Sequence, residues 1–450
     1  NSDEQVYALY LISEAQWDAH EVAECRRYLV YQTLEALQQI LRDQGVVLLI
    51  REAGTYASHQ HHLQEVIERL DIDAVYANQD YPLNEFRRDA AIHEWLTDSP
   101  INMHWFEDTV LVPPGRVTKS DGDFYQVFTP FAKTWRSFVE QHPEHYQPLT
   151  MPEAKLLDEP AYQQARKEWR DIKRKRHFEA QVQLGYHEQE ADILAQLEAF
   201  CEAQLQDYKS DRDIPSVEGT SRLSAYLSLG SLSARTAHYQ AWKASQKHDH
   251  SEGWKTWQSE LIWRDFYRHI MAQNPKLSMH HAFKDNYDQL PWRENHQQFL
   301  AWCQGQTGFP LVDAAMRQLN HTGWMHNRLR MLVAVFLTKY LLIDWHWGES
   351  YFMSRLIDGD FAANNGGWQW SSSVGTDAAP YFRVLSPLRQ AERFDEQALF
   401  IKQYVPELKS VSAKDILKMN QLDKKADYPA PMIELKGRKD EAVAFFKAHL

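Results

Sequence analysis

Three segments in the second half of the chain combine acids, amides, arginines and tryptophans at spacings that suit a ligand site. In WQSELIWRDFYRHI, residues 257–270, helical spacing places Glu260, Trp263 and Tyr267 on one face, with Arg264 beside them. An acid and an indole on one face present a hydrogen-bonding group and an aromatic wall to a flat ligand. The alternative is a surface glutamate over a half-buried tryptophan.

The segment GWMHNRLRM, residues 323–331, places Trp324, Asn327 and Met331 on a second stripe. Arg328 and Arg330 flank that stripe. A neutral amide inside an apolar stripe is costly unless it is hydrogen-bonded. We therefore expect the amide of Asn327 to face either a ligand or a backbone partner.

The third segment, IDGDFAANNGGWQW at residues 357–370, contains two acids, two asparagines and three glycines. This composition predicts a loop with close backbone approach rather than a regular helix. A calcium loop needs more oxygen ligands and a terminal glutamate. We expect no bound metal, and instead a buried Asp358 paired with Arg330.

A fourth segment, VEGTSRLSAYL at residues 217–227, has the composition of an anion site. Gly219 permits a tight turn, Thr220 and Ser221 can cap a helix, and Arg222 would help the free N–H groups bind a phosphate. The alternative is a plain helix cap. No GxGxxG or Walker motif occurs, so a nucleotide would lie in a helical pocket and not on a Rossmann turn.

The elements that must position these residues change character along the chain. Strand-like runs VYALYLI, VVLLI and AVYA alternate with helical stretches at about residues 22–42, 61–70 and 85–96, which predicts a parallel sheet covered by helices. Because the chain starts directly on a strand-like run, we expect the first strand of this sheet and its loop to be absent. We predict an α/β domain at 1–107, a linker at 108–188 and a helical domain at 189–450.

Composition limits the class of protein. A chain of 450 residues favours two domains. The net charge of −13 argues against a general nucleic-acid binder, but residues 314–343 contain four lysines and arginines and no acid, which allows one basic surface. Three cysteines without metal spacing and an acidic N-terminal stretch predict a cytoplasmic protein, and the longest apolar run is interrupted by Lys339, which argues against a membrane span.

The motifs GTSRLS, ELIWRDFYRH, TGWMHNRLRM and DGDFAANNGGWQW, in this order and spacing, resemble the cryptochrome and photolyase family. Within it, the sequence is most similar to bacterial class I cyclobutane pyrimidine dimer photolyases, from Val6 to about Phe394. The resemblance implies a Rossmann-like α/β antenna domain, a linker and a larger all-α domain that binds FAD without covalent attachment.

The activity implied by the resemblance is a carbon–carbon lyase reaction on UV-damaged DNA. Excited reduced FAD would donate an electron to a cyclobutane pyrimidine dimer that has been flipped out of the duplex. One alternative is a cryptochrome-type blue-light photoreceptor that binds FAD without repairing DNA. Another is a helical nucleotide-binding or DNA-binding module without catalysis.

The resemblance also implies which residues face the cofactor. FAD would be bound by Tyr208, Thr220, Ser221, Arg222, Leu223, Ser224, Trp257, Arg330, Asp358, Gly359, Asp360 and Asn364. Asn364 would act catalytically at the flavin N5 position, where plant cryptochromes carry an acid. Trp368, Trp345 and Trp292 would carry an electron from the surface to photoexcited oxidised flavin.

The substrate side follows from the same resemblance. DNA and the dimer would contact Arg212, Glu260, Trp263, Arg264, Tyr267, Asn327, Arg328, Met331, Trp370 and Gln390. Glu260 would be catalytic, because its hydrogen bond would stabilise the radical anion of the dimer. Six-four photolyases carry histidines where Asn327 and Met331 stand here, which favours cyclobutane dimers as the substrate.

A second chromophore is implied in the α/β domain. His20, Asn84 and Glu85 match positions that contact a 5,10-methenyltetrahydrofolate antenna, but Met279 stands where the pattern carries a lysine. A deazaflavin or an empty site remains an alternative. We expect a monomer with no obligate protein partner and no membrane association.

Overall fold

The computed structural model describes residues 5–147, 149, 155–178, 185–248 and 251–449. Its first part contains four strands, β1 (Tyr7–Ile12), β2 (Val47–Glu52), β3 (Ala74–Asn78) and β4 (Asn102–Phe106). Four helices alternate with them, α1 (Glu14–Ala19), α2 (Glu24–Asp43), α3 (His59–Leu70) and α4 (Leu83–Thr97). The predicted alternation of strands and helices is confirmed, and β4 is a strand that the sequence pattern did not predict.

The strands pair in parallel, as predicted. β1 pairs with β2, with Tyr7 opposite Val47, and β3 pairs with β4, with Ala74 opposite Asn102. Among the described residues, β1 and β3 each keep one edge without a strand partner. The α/β part therefore consists of two short parallel ribbons.

Two further helices lie in the predicted linker, α5 (Phe128–Gln141) and α6 (Glu159–Arg174). Asp158 caps α6 by accepting a hydrogen bond from the Ala161 N–H at 3.1 Å. Helix α6 buries Tyr162, Trp169 and other residues of one face against β2, which explains why β2 is apolar on both faces. Linker residues 148, 150–154 and 179–184 lie outside the described residues.

The remaining part is helical, as predicted. Its helices are α7 (Glu190–Ala203), α8 (Tyr208–Asp211), α9 (Ser224–Leu229), α10 (Ala234–Ser245), α11 (Glu252–Gln273), α12 (His296–Cys303), α13 (Pro310–Thr322), α14 (Asn327–Val335), α15 (Trp345–Met353), α16 (Phe361–Ser372), α17 (Pro387–Phe394), α18 (Leu399–Tyr404), α19 (Ala413–Leu417), α20 (Leu422–Lys425) and α21 (Arg438–Lys447). A π-helical turn, Phe336–Tyr340, follows α14. The described residues after β4 contain no further strand, apart from an isolated bridge between Arg293 and Ile343.

The prediction of a loop at residues 357–370 is wrong, because most of this segment forms α16. The Asp360 side chain caps the helix by accepting a hydrogen bond from the Ala363 N–H at 2.9 Å. The glycines permit close helix packing: a Cβ at Gly366 would lie 2.1 Å from Cδ1 of Tyr267 on α11. The glycine at position 366 is thus explained by the close approach of the Tyr267 ring and not by a turn.

Candidate functional site

A cavity of about 1370 Å³ opens between α8, α9, α11, α14 and α16. Most of the predicted cofactor and substrate residues line it: Tyr208, Arg212, Thr220, Ser221, Arg222, Leu223, Ser224, Trp257, Glu260, Trp263, Arg264, Tyr267, Asn327, Arg330, Met331, Asp358, Asp360, Asn364, Trp368 and Trp370. Residues that are more than 160 positions apart in the chain are thereby brought to one wall. The cavity is large enough for a ligand of cofactor size.

Two carboxylates beside α16 are paired with arginines. Arg330 donates a hydrogen bond to Oδ2 of Asp358 at 2.8 Å, so the predicted pair is present and Asp358 is buried, also as predicted. The other oxygen, Oδ1 of Asp358, is buried without a partner. Burial opposes ionisation of Asp360, but its ion pair with Arg268 and the nearby Arg264 hold its pKa below the usual value. The arrangement leaves one unsatisfied acceptor beside the cavity.

Glu260 lies on the cavity wall in α11 and forms an ion pair with Arg212. Burial raises the pKa of Glu260 above its usual value, although Arg212 opposes that shift. The pair continues along the chain of charges, because Arg212 lies 3.8 Å from Asp213, and Asp213 lies 2.6 Å from Arg328. Glu260 is therefore one end of a row of alternating charges.

Aromatic rings form the neighbouring wall. The indole of Trp263 stacks on Phe128 from α5, with ring centroids 3.6 Å apart and planes inclined by 2°. Tyr267 lies one turn further along α11, 5.5 Å from Trp263. Because Phe128 covers one face of Trp263, the indole is held in a fixed orientation at the cavity wall.

Adjacent asparagines in α16 have different environments. Asn364 lines the cavity and donates a hydrogen bond from Nδ2 to the Glu349 carbonyl at 3.0 Å. Asn365 is buried and donates to the Glu349 carboxyl at 2.9 Å. Burial raises the pKa of Glu349 to about 7. The cavity side chain is thus a neutral amide whose orientation is set by the backbone of α15.

The prediction that Thr220 and Ser221 cap a helix is wrong. Helix α9 begins at Ser224 and has no side-chain cap, while the Ser221 hydroxyl accepts a hydrogen bond from Nε1 of Trp257 at 3.4 Å. Arg222 has a left-handed backbone, with φ of 56°, and its guanidinium stacks 3.8 Å above the Trp324 ring. The left-handed turn separates the hydroxyl residues from the start of the helix.

Several other predicted residues lie away from the positions expected for them. Asn327 lines the cavity, but it is exposed at the start of α14 and is not enclosed in an apolar stripe. Gly359 is buried behind the cavity wall, where its carbonyl accepts a hydrogen bond from Ser228 at 3.3 Å. Arg328 and Gln390 do not line the cavity; Arg328 pairs with Asp213 and lies 3.8 Å above the ring of Phe394.

The three tryptophans of the expected electron path share one apolar cluster. Trp368 lines the cavity, with its ring 5.0 Å from Phe352. Trp345 is buried and lies 3.8 Å from the ring of His346. Trp292 is half-buried and packs against Phe445 at 5.2 Å. The series therefore extends from the cavity wall towards the surface.

The predicted antenna residues lie together in the α/β part. Nδ2 of Asn84 and Nε2 of His20 are 3.0 Å apart, and Glu85 accepts a hydrogen bond from the Tyr56 hydroxyl at 3.0 Å. Burial raises the pKa of Glu85, and its second oxygen, Oε2, is buried without a partner. Met279, which stands where the pattern carries a lysine, is exposed.

Sequence reasoning missed two arginines that act on the cavity wall. Arg268 pairs with Asp360, and its position four residues after Arg264 on one helical face was a signal that could have indicated it. Arg136 of α5 also lines the cavity and bonds to Gln258 at 2.9 Å. Nothing in the local sequence around Arg136 indicates that contact.

The described ranges contain neither a metal-binding cluster nor a membrane-spanning helix. No group of three or more histidine, cysteine, aspartate or glutamate side chains there is placed to hold a metal ion. No helix in the same part of the chain is both long and apolar enough to cross a membrane.

The chain was compared with known proteins. Residues 1–153 match the family "DNA photolyase", and residues 257–448 match the "FAD binding domain of DNA photolyase". The deoxyribodipyrimidine photo-lyase of Vibrio cholerae is 40% identical over 468 residues, covering 99% of this chain and 94% of that protein. The Escherichia coli protein of the same name is 40% identical over 465 residues, covering 100% and 94%. A crystal structure of a class III photolyase from Agrobacterium tumefaciens superposes with a TM-score of 0.81 at 28% identity, covering 99% and 92% of the two chains.

Proposed function

The chain belongs to the DNA photolyase family, and we propose that it is a deoxyribodipyrimidine photo-lyase that uses light to repair cyclobutane pyrimidine dimers in DNA. One observation carries this proposal. A single cavity brings the arginine-paired acids Asp358 and Asp360 together with Glu260 and the indoles of Trp263 and Trp370. A cofactor and a flat substrate can therefore share one enclosed space.

The cavity residues fit FAD. The buried Oδ1 of Asp358 lacks a donor and would accept a hydrogen bond from a flavin ring N–H. A Cβ built at Gly367 would meet no atom within 4 Å, so this wall of the cavity is open to a ligand. When bound, FAD supplies the absorbed light energy and the electron that opens the cyclobutane ring.

The protein's part on the substrate side is to bind and orient the dimer. A dimer stacks poorly in the duplex, so flipping it out costs less than flipping normal bases, and the walls of Trp263 and Trp370 restore stacking. Glu260, when protonated, would donate a hydrogen bond to a pyrimidine carbonyl where negative charge develops. Arg212 and Arg328 would contact the DNA backbone at the cavity mouth.

On the cofactor side, the proposed role of Asn364 is to present a neutral amide at flavin N5. Its hydrogen bond to the Glu349 carbonyl supports this role, because the bond holds the amide against the cavity. Trp368, Trp345 and Trp292 would carry an electron inward when the bound cofactor is oxidised. Their shared apolar cluster, from the cavity wall to a half-buried position, supports that path.

For the α/β domain we propose a 5,10-methenyltetrahydrofolate antenna. The orphaned Oε2 of Glu85 supports it, because a buried acceptor needs a donor such as a pterin amino group. Absorbance of the folate chromophore should appear after reconstitution of the wild-type protein and weaken in Glu85→Ala. Equal folate binding by both proteins, or retention of a deazaflavin instead, would contradict this assignment.

We also propose that the protein acts as a cytoplasmic monomer without an obligate protein partner. The described cysteines Cys25, Cys201 and Cys303 are free thiols that form no disulfide. Free cysteines fit an enzyme that works in a reducing compartment.

Binding in the dark tests the proposed function before any chemistry occurs. Wild-type protein with bound reduced FAD should bind an oligothymidylate that contains one cyclobutane dimer more tightly than the undamaged strand, as measured by fluorescence anisotropy. Illumination should reduce the affinity to that of undamaged DNA, because repair removes the dimer. Equal affinity for both strands in the dark would contradict the proposal.

A further inference from the structure

The first turn of α2, in the α/β domain, packs directly behind the cavity. Leu29 belongs to an apolar cluster that also contains Ala225, Trp324 and Ile357 from the helical domain. The Cys25 thiol lies 3.4 Å from the Arg355 carbonyl. The α/β domain therefore touches the segment, residues 355–360, that carries the acids of the cavity wall.

Arg26 makes the most extensive polar contact at this junction. Its Nη1 donates to the Ser228 hydroxyl at 2.7 Å and its Nη2 donates to the Ser228 carbonyl at 3.2 Å. Nη1 also lies 3.4 Å from the Ile357 carbonyl. Three hydrogen bonds of one guanidinium thus go to neutral oxygens of the helical domain.

Ser228 connects Arg26 to the cavity wall through two hydrogen bonds. The serine hydroxyl accepts from Arg26 and donates its own proton to the Gly359 carbonyl at 3.3 Å. Ser228 also lines the cavity itself. Since Gly359 stands between Asp358 and Asp360, the contact fixes the backbone that carries both acids.

The charge of Arg26 suits this position. Burial lowers the pKa of Arg26, and the nearby carboxylates of Asp360 and Asp358 oppose that shift by stabilising its positive charge. Arg26 is therefore a third cation near these two carboxylates, which already form ion pairs with Arg330 and Arg268, respectively for Asp358 and Asp360. Removing it would loosen the backbone and also change the field at the two carboxylates.

We propose that Arg26 is a positioning residue through which the α/β domain holds Ser228 and residues 357–359 in the geometry that retains FAD. The inference rests on the proposed cofactor. It gives the α/β domain a role in cofactor retention that does not depend on an antenna. It also predicts that FAD affinity responds to a side chain that does not line the cavity.

The test compares Arg26→Met with Arg27→Met. Arg27 is the matched control, because its hydrogen bonds go to Val22, Glu14 and Asp18 within the α/β domain. FAD dissociation constants are measured by titrating each apoprotein with FAD and following flavin fluorescence. Hydrogen bonds to a charged group contribute enough that Arg26→Met should weaken FAD binding by about tenfold, whereas Arg27→Met should leave it unchanged.

A second variant separates positioning from a general loss of stability. If Arg26 acts through Ser228, the double variant Arg26→Met with Ser228→Ala should weaken FAD binding less than the product of the two single effects. Fully multiplicative effects, or an Arg26→Met protein that binds FAD as tightly as the wild type, would overturn the inference. A wild-type protein that binds FAD but repairs no dimer would count against the proposed function and leave this inference standing.

Discussion

Glu260 and Asp360 both line the cavity, yet their surroundings shift the pKa values of the two carboxyl groups in opposite directions. Burial raises the pKa of Glu260 even though Arg212 is its partner. Two arginines outweigh burial at Asp360 and lower its pKa. Glu260 is therefore the acid that can more readily carry a proton and donate a hydrogen bond, which suits a group that faces developing negative charge.

Replacing Glu260 by alanine should lower the repair yield about tenfold to a hundredfold, because a hydrogen bond to a charged group is lost at the reacting bases. FAD content should stay unchanged, since we propose that Glu260 faces the substrate and not the cofactor. The yield is measured as dimers repaired per photon absorbed. Glu252→Ala on the same helix is the control, because Glu252 is exposed and pairs only with surface lysines. Loss of flavin from the Glu260→Ala protein would contradict this prediction, because it would show that the side chain faces the cofactor.

We expect the buried Lys339 to make the stability of the protein depend on pH. It is fully buried in the π-helical turn after α14, where Nζ donates to the Ser373 hydroxyl at 2.8 Å and to the Arg383 carbonyl at 3.2 Å. Burial lowers its pKa to about 7, so above that pH the unfolded chain binds more protons than the folded one. Stability contributed by this site therefore rises with pH.

Between pH 7 and about pH 9, the free energy of unfolding of the wild type should rise by about 2 kcal/mol relative to that of Lys339→Met. Only the wild type carries this buried lysine, and the other titrating groups are common to both proteins. Denaturation midpoints of both proteins at the two pH values measure this difference. Parallel pH profiles for the two proteins would show that the buried lysine does not titrate in this range.

Helices α16 and α11 pack against each other, and both line the cavity in which we propose that FAD and substrate meet. A Cβ at Gly366 would lie 2.1 Å from the Tyr267 ring, so Gly366→Ala should cost about 1–3 kcal/mol by overpacking, more than the gain of about 1 kcal/mol in helix propensity. Gly367→Ala is the matched control, because its Cβ meets no atom within 4 Å. Thermal unfolding of the two apoproteins should show a lower midpoint only for Gly366→Ala. Equal midpoints would mean that the two helices are not in close contact.

The same elements show what could be predicted from the sequence. Helical spacing correctly placed Glu260, Trp263 and Tyr267 on one face, because periodicity within a helix is a local property. The glycines of α16 misled the prediction, since their role depends on a helix about a hundred residues earlier. Arg26 could not be found at all, because its acceptor Ser228 lies 202 positions away.

At the scale of the whole molecule, the boundary between domains is less sharp than the sequence pattern indicates. The linker helix α6 packs on β2, while α5 contributes Phe128 to the stack on Trp263. The proposed boundaries at 107 and 188 therefore separate stretches of sequence whose packing is shared. Because the chain carries a net charge of −13, we expect DNA to bind through a local surface, for which Arg212 and Arg328 are the proposed contacts.

We propose that this cavity repairs a cyclobutane dimer when light is absorbed. To test this, the protein is illuminated, with reduced FAD confirmed by its spectrum, in the presence of an oligothymidylate that contains such dimers. Thymine absorbance should recover in near-UV or blue light and stay constant in the dark. No recovery in the light, with reduced FAD bound and the damaged strand in the cavity, would contradict it.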